Sequence, residues 1–162
     1  MPSITALLHT ENDALRLGRA LETLYPCDDI VVIDHGSLDA TVRIARQYGA
    51  RVVNAVSGLS AQECLQLASP AEWILTLDPC ESLTEKLAAS LFEWKSAALT
   101  HSSSVSGFSV YLREETPQGW LEVPAAQTRL VPHRWKAWEA KHPTHDPAAA
   151  TLEGELLRFI FP

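Results

Sequence analysis

The chain has 162 residues, enough for one α/β domain with a sizeable core and too few for two full ones. With 46% of its residues hydrophobic it is globular rather than disordered, and its net charge of -7 argues against a nucleic-acid backbone or an anionic membrane as its main partner. Cys27, Cys64 and Cys80 are an odd, widely spaced set that matches no zinc or redox spacing, so they read as reduced cytosolic thiols. No basic region followed by a long apolar one opens the chain, and no apolar run reaches membrane-spanning length. The expectation is therefore a chain with neither signal peptide nor transmembrane segment.

In chain order, the apolar run Ile4 to Leu8 predicts a first strand, broken by His9-Thr10-Glu11-Asn12-Asp13. Ala14, Leu17, Leu21 and Leu24 recur at helical spacing, with Asn12 or Asp13 as cap, and Tyr25-Pro26 ends that helix. Ile30 to Ile33 is a continuous β-branched run, the pattern of a strand buried on both faces of a parallel sheet. Asp34-His35-Gly36-Ser37 is a tight turn at its carboxyl end, and Ser37 or Asp39 can cap a helix closed by Gly49. Arg51 to Asn54 predicts a third strand, Ala61 to Ala68 a helix opened by Gly58 and Ser60, and Trp73 to Leu77 a fourth strand ended by Asp78-Pro79-Cys80-Glu81. Ser82 with Glu85 makes a capping box for a helix burying Leu87, Leu91 and Trp94. This alternation predicts β-α-β units and a parallel sheet.

After Lys95 the pattern changes. Ser102-Ser103-Ser104 predicts a loop. Gly107 to Leu112, Trp120 to Val123 and Thr128 to Val131 predict short strands, with a turn over Glu114 to Gly119. Pro132 to Pro147 lacks periodicity and reads as a loop, and Leu156 to Phe161 as a terminal strand. The fold expected is α/β, with a mostly parallel central sheet flanked by helices and an antiparallel C-terminal part. It forms one domain over residues 1–162, with 1–95 the nucleotide-binding part and 96–162 a reduced acceptor-side part.

Ligands of open α/β sheets bind at the carboxyl ends of strands. Three strands here end in polar clusters, so His9, Thr10, Asn12, Asp34, Gly36 and Asp78 are the candidate nucleotide-binding residues, and Asp78 with Glu81 the candidate metal pair. Such a crevice suits a base and ribose, and suits a diphosphate only if a cation joins it. The plain alternative is that these are ordinary caps and turns. No G-x-G-x-x-G, P-loop or G-x-S-x-G is present, which counts against a dinucleotide-dependent dehydrogenase, an ATPase and a serine hydrolase. His133, His142 and His145 near Asp146 fit no standard metal spacing and read as solvated loop residues, while Trp135 and Trp138 cover a pocket or pack in the core.

Together these blocks resemble family 2 glycosyltransferases of the GT-A fold, especially the bacterial lipopolysaccharide-core and surface-glycan branch. Leu7 to Asp13 followed by Arg19-Ala20-Leu21 is similar to the family's first strand and helix, with Asn12-Asp13 in place of its Asn-Glu pair. Asp28 to Thr41 resembles D-E-I-V-V-V-D-x-G-S-x-D-x-T, Ala68 to Leu83 resembles A-x-x-x-W-I-L-x-L-D-A-D-E-x-L, and Thr128-Arg129-Leu130 resembles the R-L-F strand. The resemblance implies transfer of a sugar from a UDP- or GDP-type nucleotide sugar to an acceptor hydroxyl. It implies Mg²⁺ or Mn²⁺ on the diphosphate and a carboxylate base on the acceptor side. It also implies a cytoplasmic location, with peripheral attachment to the inner membrane as a variant, and a second transferase or another copy of the chain as protein partner.

The chain departs from the family at several positions. The D-x-D position reads Asp78-Pro79-Cys80, the Arg-Asn that opens the third helix reads Ala61-Gln62, and the late His-Glu pair has only His142-Pro143 as its nearest match. Arg158 stands where the branch often carries a second His, and the acceptor half is short for the branch. These departures strike metal, phosphate and base together, and so imply weakened or absent catalysis. The alternatives kept beside an active transferase are a non-catalytic nucleotide-binding or protein-interaction module on the same fold, and an unrelated flavodoxin-like domain. The last would lack an antiparallel extension after Lys95.

Overall fold

The protein is described from a computed structural model covering residues 1–55, 58–68, 70–97 and 105–162; the serines at 102–104 lie outside the described residues. Strands and helices alternate through the first part: β1 (Ile4–Thr10), α1 (Ala14–Glu22), β2 (Asp29–Asp34), α2 (Thr41–Gln47), β3 (Arg51–Asn54), α3 (Ala61–Ala68), β4 (Trp73–Thr76). A short strand, β5 (Glu81–Leu83), precedes α4 (Glu85–Ala97). The second part is strands alone: β6 (Phe108–Thr116), β7 (Gly119–Glu122), β8 (Gln127–Pro132), β9 (Trp138–Glu139), β10 (His142–Pro143) and β11 (Ala150–Arg158).

One sheet runs in the order β3-β2-β1-β4-β8-β6-β11-β5, with β7 paired to β6. The β3-β2-β1-β4 half is parallel, with Thr10 opposite Asp34 and Leu7 opposite Thr76. β8 pairs antiparallel to both β4 and β6, so an antiparallel extension does follow Lys95, unlike a flavodoxin-like layer. Side chains alternate across the parallel strands. Ile4, Ala6, Leu8, Val32 and Leu75 join a core with Leu17 and Leu21 of α1 and Leu87 and Leu91 of α4. Leu7, Val31, Ile33 and Ile74 face the opposite way, onto Cys64, Leu65 and Ala68 of α3. Burial on both faces is why these strands read as unbroken apolar runs.

The structure corrects three local expectations. Ser82 lies inside β5, and the cap of α4 is Thr84, whose Oγ1 accepts the Leu87 N–H at 3.2 Å. The capping box stands instead at α3, where Ser60 and Glu63 exchange bonds from N–H to side chain at 3.2 and 2.7 Å. The helix α1 takes no side-chain cap from Asp13; the Ala14 N–H donates to Asp39 Oδ2 from the neighbouring turn at 3.2 Å. The final strand begins at Ala150 rather than Leu156. Gly154 sits there at φ +95 against the start of α4, which breaks the period-2 pattern that would mark the strand.

Trp135 and Trp138 pack on the α3 side of the sheet and hold the small β9–β10 hairpin there. Their indole N–H groups are satisfied locally by the carbonyls of Ala137 and Trp135. They are half-buried residues packed against the core at the edge of the fold, as their size favours. The three cysteines are unpaired, and burial pushes the Cys27 thiol up to about 12. Among the described residues no helix is long and apolar enough to cross a membrane.

Candidate functional site

The carboxyl ends of β1, β2 and β4 lie side by side because β1 is the central strand of the three. At the β2 end, Asp34 is 3% exposed and its oxygens are already engaged. Oδ1 accepts from Thr10 Oγ1 at 2.8 Å and Ser37 Oγ at 2.5 Å, and Oδ2 accepts from the Ser37 N–H at 2.9 Å. Burial by itself would raise this carboxyl, but the bonds from Ser37 and Thr10 outweigh it and hold it below the usual range. Asp34 is therefore the hub that fixes the turn. The exposed surface around it belongs to Gly36 and Leu38, with the half-buried Ser37 between them. Asn12 locks the two turns together: its N–H donates to Ser37 Oγ at 2.9 Å and its Oδ1 accepts the Leu38 N–H at 2.8 Å.

His9 and His35 stack beside this turn with ring centroids 5.1 Å apart, and share a hydrogen bond between Nδ1 of His9 and Nε2 of His35 at 2.8 Å. His9 is driven down to about 4, first by burial and then by the nearby charges of His35, Lys141 and His142, with Asp78 opposing. It is a neutral imidazole near pH 7.

At the β4 end, Asp78-Pro79-Cys80-Glu81 forms a turn closed by the Glu81 N–H on the Asp78 carbonyl at 2.9 Å, with Pro79 at its second position. The turn folds Glu81 back so that its Oε1 accepts the Asp78 N–H at 2.6 Å. Glu81 is wholly buried, and Arg129 of β8, also wholly buried, grips it with both guanidinium ends at 2.8 and 3.1 Å. Arg158 stands directly opposite Glu81 in the β5–β11 pair. Its Nη2 bridges Glu81 Oε2 at 3.0 Å and Asp78 Oδ2 at 2.7 Å. His142 of β10 completes the cluster, its Nε2 3.0 Å from Asp78 Oδ1 and its Nδ1 2.9 Å from Thr76 Oγ1. Burial alone would raise Asp78, yet the His142 bond and charge, then Arg129 and Arg158, hold it at about 2. Cys80 is not part of the cluster; burial first, then the Glu81 charge, pushes its thiol up, so it stays protonated.

A divalent cation was the expected occupant of Asp78 and Glu81. One ligand atom from each of Asp78, Glu81 and His142 lies within 4.8 Å of the others, so distance alone permits a shared ion. Charge does not favour it. Both carboxylates already meet guanidinium groups, whose combined +2 equals that of the cation, and Glu81 is exposed on neither oxygen. An ion would arrive with Arg158 still in place and leave the cluster with excess positive charge in a half-buried setting. As arranged, these residues do not fit a divalent metal.

Of the residues predicted from sequence, the structure brings His9, Thr10, Asn12, Asp34 and Gly36 into one rim, with Asp78 and Glu81 in the adjoining cluster. The loop histidines do not gather. His133 sits by the Glu72 carbonyl and His145 by Thr128, while His142 alone joins Asp78. The expected roles missed Arg129 and Arg158 as partners of the acidic pair. The available signal was a single arginine amid apolar strand residues, in Thr128-Arg129-Leu130 and Leu157-Arg158-Phe159, since a lone charge in a buried strand needs a buried counter-charge. A cavity of about 260 Å³ adjoins His142, lined also by Gln127, Arg129 and Glu139.

No protein-family profile matches the chain. It is 36% identical over 93 residues to an uncharacterised glycosyltransferase of Rickettsia felis, a match covering 54% of this chain and 32% of that protein. The chain thus spans about a third of the length of the curated relatives it matches. In three dimensions it is similar to TarS of Staphylococcus aureus, with a TM-score of 0.62 at 15% identity over 98% of this chain and 37% of that one. It is also similar to glucosyl-3-phosphoglycerate synthase of Mycobacterium tuberculosis, with a TM-score of 0.51 at 20% identity over 69% of this chain and 44% of that one. That structure was solved with Mn²⁺, UDP-glucose and phosphoglyceric acid. The chain is similar in sequence to glycosyltransferases and has their GT-A fold.

Proposed function

We propose that this chain binds a nucleoside-diphosphate sugar at the joined ends of β1, β2 and β4 and serves glycosyl transfer to an acceptor hydroxyl. The observation that carries the reading is the convergence at those three strand ends of the His9–His35 stack, the Asp34 turn and the Asp78–Arg158–His142 cluster. The stack and the turn offer a planar surface and backbone groups to a base and ribose. The cluster offers cationic N–H groups to a diphosphate. Residues 1–95 carry the nucleoside side in this reading, and 96–162 the acceptor side beside His142 and Glu139. The UDP-glucose in the mycobacterial neighbour supports the ligand class, and the glycosyltransferase relatives support the reaction class.

A second reading is a non-catalytic nucleotide-binding module on the same fold. It is favoured by the engagement of both cluster carboxylates in ion pairs, which leaves neither Asp78 nor Glu81 free to take a proton from an acceptor. Glu139 is exposed at the cavity mouth and is the base the first reading requires. Incubating the full chain with UDP-glucose and GDP-mannose, and following release of UDP or GDP, separates the two. Turnover that disappears in Glu139→Gln supports the transferase. Nucleotide binding without turnover supports the module, and no binding of any nucleotide defeats both.

A further inference from the structure

We infer that the Arg158 guanidinium takes the place of a divalent cation, so that diphosphate binding at this site is independent of metal. The inference rests on the nucleotide reading above and specifies how the charge of the diphosphate is met. A metal on two carboxylates cancels their charge and offers its remaining coordination sites to phosphate oxygens. Here Arg129 and Arg158 cancel the same two carboxylates, and their roles divide by exposure. Arg129 is wholly buried, and both its terminal nitrogens are spent on Glu81, with further bonds to Thr76 O and Gln127 Oε1. It serves as the fixed counter-charge. Arg158 is 34% exposed at the side chain and bonds the carboxylates through Nη2 and Nε. Its Nε and both Nη2 hydrogens are committed to the carboxylates, whereas its Nη1 has no protein acceptor among the described residues, so the two N–H groups of Nη1 remain as in-plane donors for phosphate oxygens.

Position reinforces the point. Arg158 is tied in register to Glu81 across β5 and β11, so its backbone is as fixed as that of a metal ligand. His142 flanks Asp78 on the other side and adds a second imidazole near the same opening, beside His9. A divalent ion would either join the cluster beside Arg158 and add like charge to it, or displace Arg158 and lose charge-assisted bonds at 2.7 and 3.0 Å. Replacing arginine by histidine would remove that obstacle and leave an Asp–Glu–His–His donor set of the kind that binds Mn²⁺.

The test is calorimetric titration of the full chain with uridine, UDP and GDP, in EDTA and in excess Mn²⁺, together with loss of the free Mn²⁺ paramagnetic signal without nucleotide. The expected result for the native chain is UDP or GDP affinity equal within about twofold with and without metal, and no sequestration of Mn²⁺. Arg158→Ala should weaken UDP by roughly tenfold or more while leaving uridine unchanged, because only the phosphates lose a partner, and Arg158→Lys should restore part of it. Arg158→His should gain Mn²⁺ binding and make UDP affinity metal-dependent. Circular dichroism of each variant checks the fold, which keeps the Arg129–Glu81 pair. UDP binding that requires Mn²⁺ in the native chain, or sequestration of Mn²⁺ by it, overturns the inference while leaving the nucleotide reading intact. Failure of uridine, UDP and GDP to bind under either condition overturns the nucleotide reading, and the inference with it.

Discussion

Arg129→Met tests whether the fold depends on the buried half of the cluster. Arg129 and Glu81 are each shielded from water, at 1% and 0% side-chain exposure, so almost none of their interaction is screened. Methionine keeps much of the volume and removes the charge and every donor. Glu81 then keeps only the Asp78 N–H and Arg158, while the Thr76 carbonyl and Gln127 Oε1 lose their guanidinium partners. Removing one partner of a buried pair costs about 3–5 kcal/mol, and here the remaining buried charge keeps only the partly exposed Arg158 to compensate it. Against a usual domain stability of about 5–15 kcal/mol, that is a large share. For a chain of this size it corresponds to a fall in Tm of roughly 10 °C or more.

Urea denaturation of the native chain, Arg129→Met, Glu81→Leu and the double variant measures both the cost and the coupling. The double variant should be destabilised by about 2 kcal/mol less than the sum of the two singles, since each single strands a charge that the double removes. A cost for Arg129→Met below about 1 kcal/mol, with effects additive to within about 0.5 kcal/mol, would refute the reasoning. It would mean that water or Arg158 takes over Glu81 unaided.

Gly154→Ala would place a Cβ 2.3 Å from the Leu87 nitrogen and 2.6 Å from its Cα, at a φ of +95, so a loss of roughly 3 kcal/mol or more is expected in the same urea assay. His9, held neutral with a value near 4, binds fewer protons than the unfolded chain between pH 6.5 and about 4. Stability is therefore intact above pH 6.5 and falls by roughly 3 kcal/mol as the pH drops to 4; His9→Gln should flatten that segment of the stability–pH curve. Asp78, held at about 2, adds a second loss as the pH falls from 3.8 toward 2, the sign expected of a depressed carboxyl. Thr84→Ala should cost about 1 kcal/mol as the true cap of α4, and Ser82→Ala clearly less; thermal unfolding of the two variants decides between the positions.

The parallel half of the fold was legible because its signal is local. Ile30 to Ile33 is an unbroken apolar run and Trp73 to Leu77 is apolar but for Thr76, and buried parallel strands have few other ways to be written. Asp34 was legible as a strand end, though its oxygens serve the turn, which no pattern of residue types distinguishes from ligand binding. Short strands such as β5 and β10 were not legible. Three residues, or two, carry no period, and they exist only because β11 and β9 lie opposite them. The same holds for the site. The acidic pair is readable in one stretch, but its counter-charges lie 48 and 77 residues further along the chain, and only the sheet order brings them back.

That sheet order also decides what the site can be. β8 and β11 reach the β4–β5 turn from one side of the sheet order each, since β8 borders β4 and β11 borders β5. Each contributes one arginine to the same glutamate, so the charge that a soluble ion would supply from outside is built into the backbone register. An ion can be lost to a chelator or exchanged, whereas a register-fixed guanidinium is present whenever the chain is folded. On the inference drawn above, the carboxylates are the anchor that orients Arg158, and the site acts as a cationic hydrogen-bond donor rather than a Lewis acid. Stability and the proposed diphosphate binding meet at one residue, Glu81: its loss would release Arg158 from its register partner and unpair Arg129 in the core at the same time.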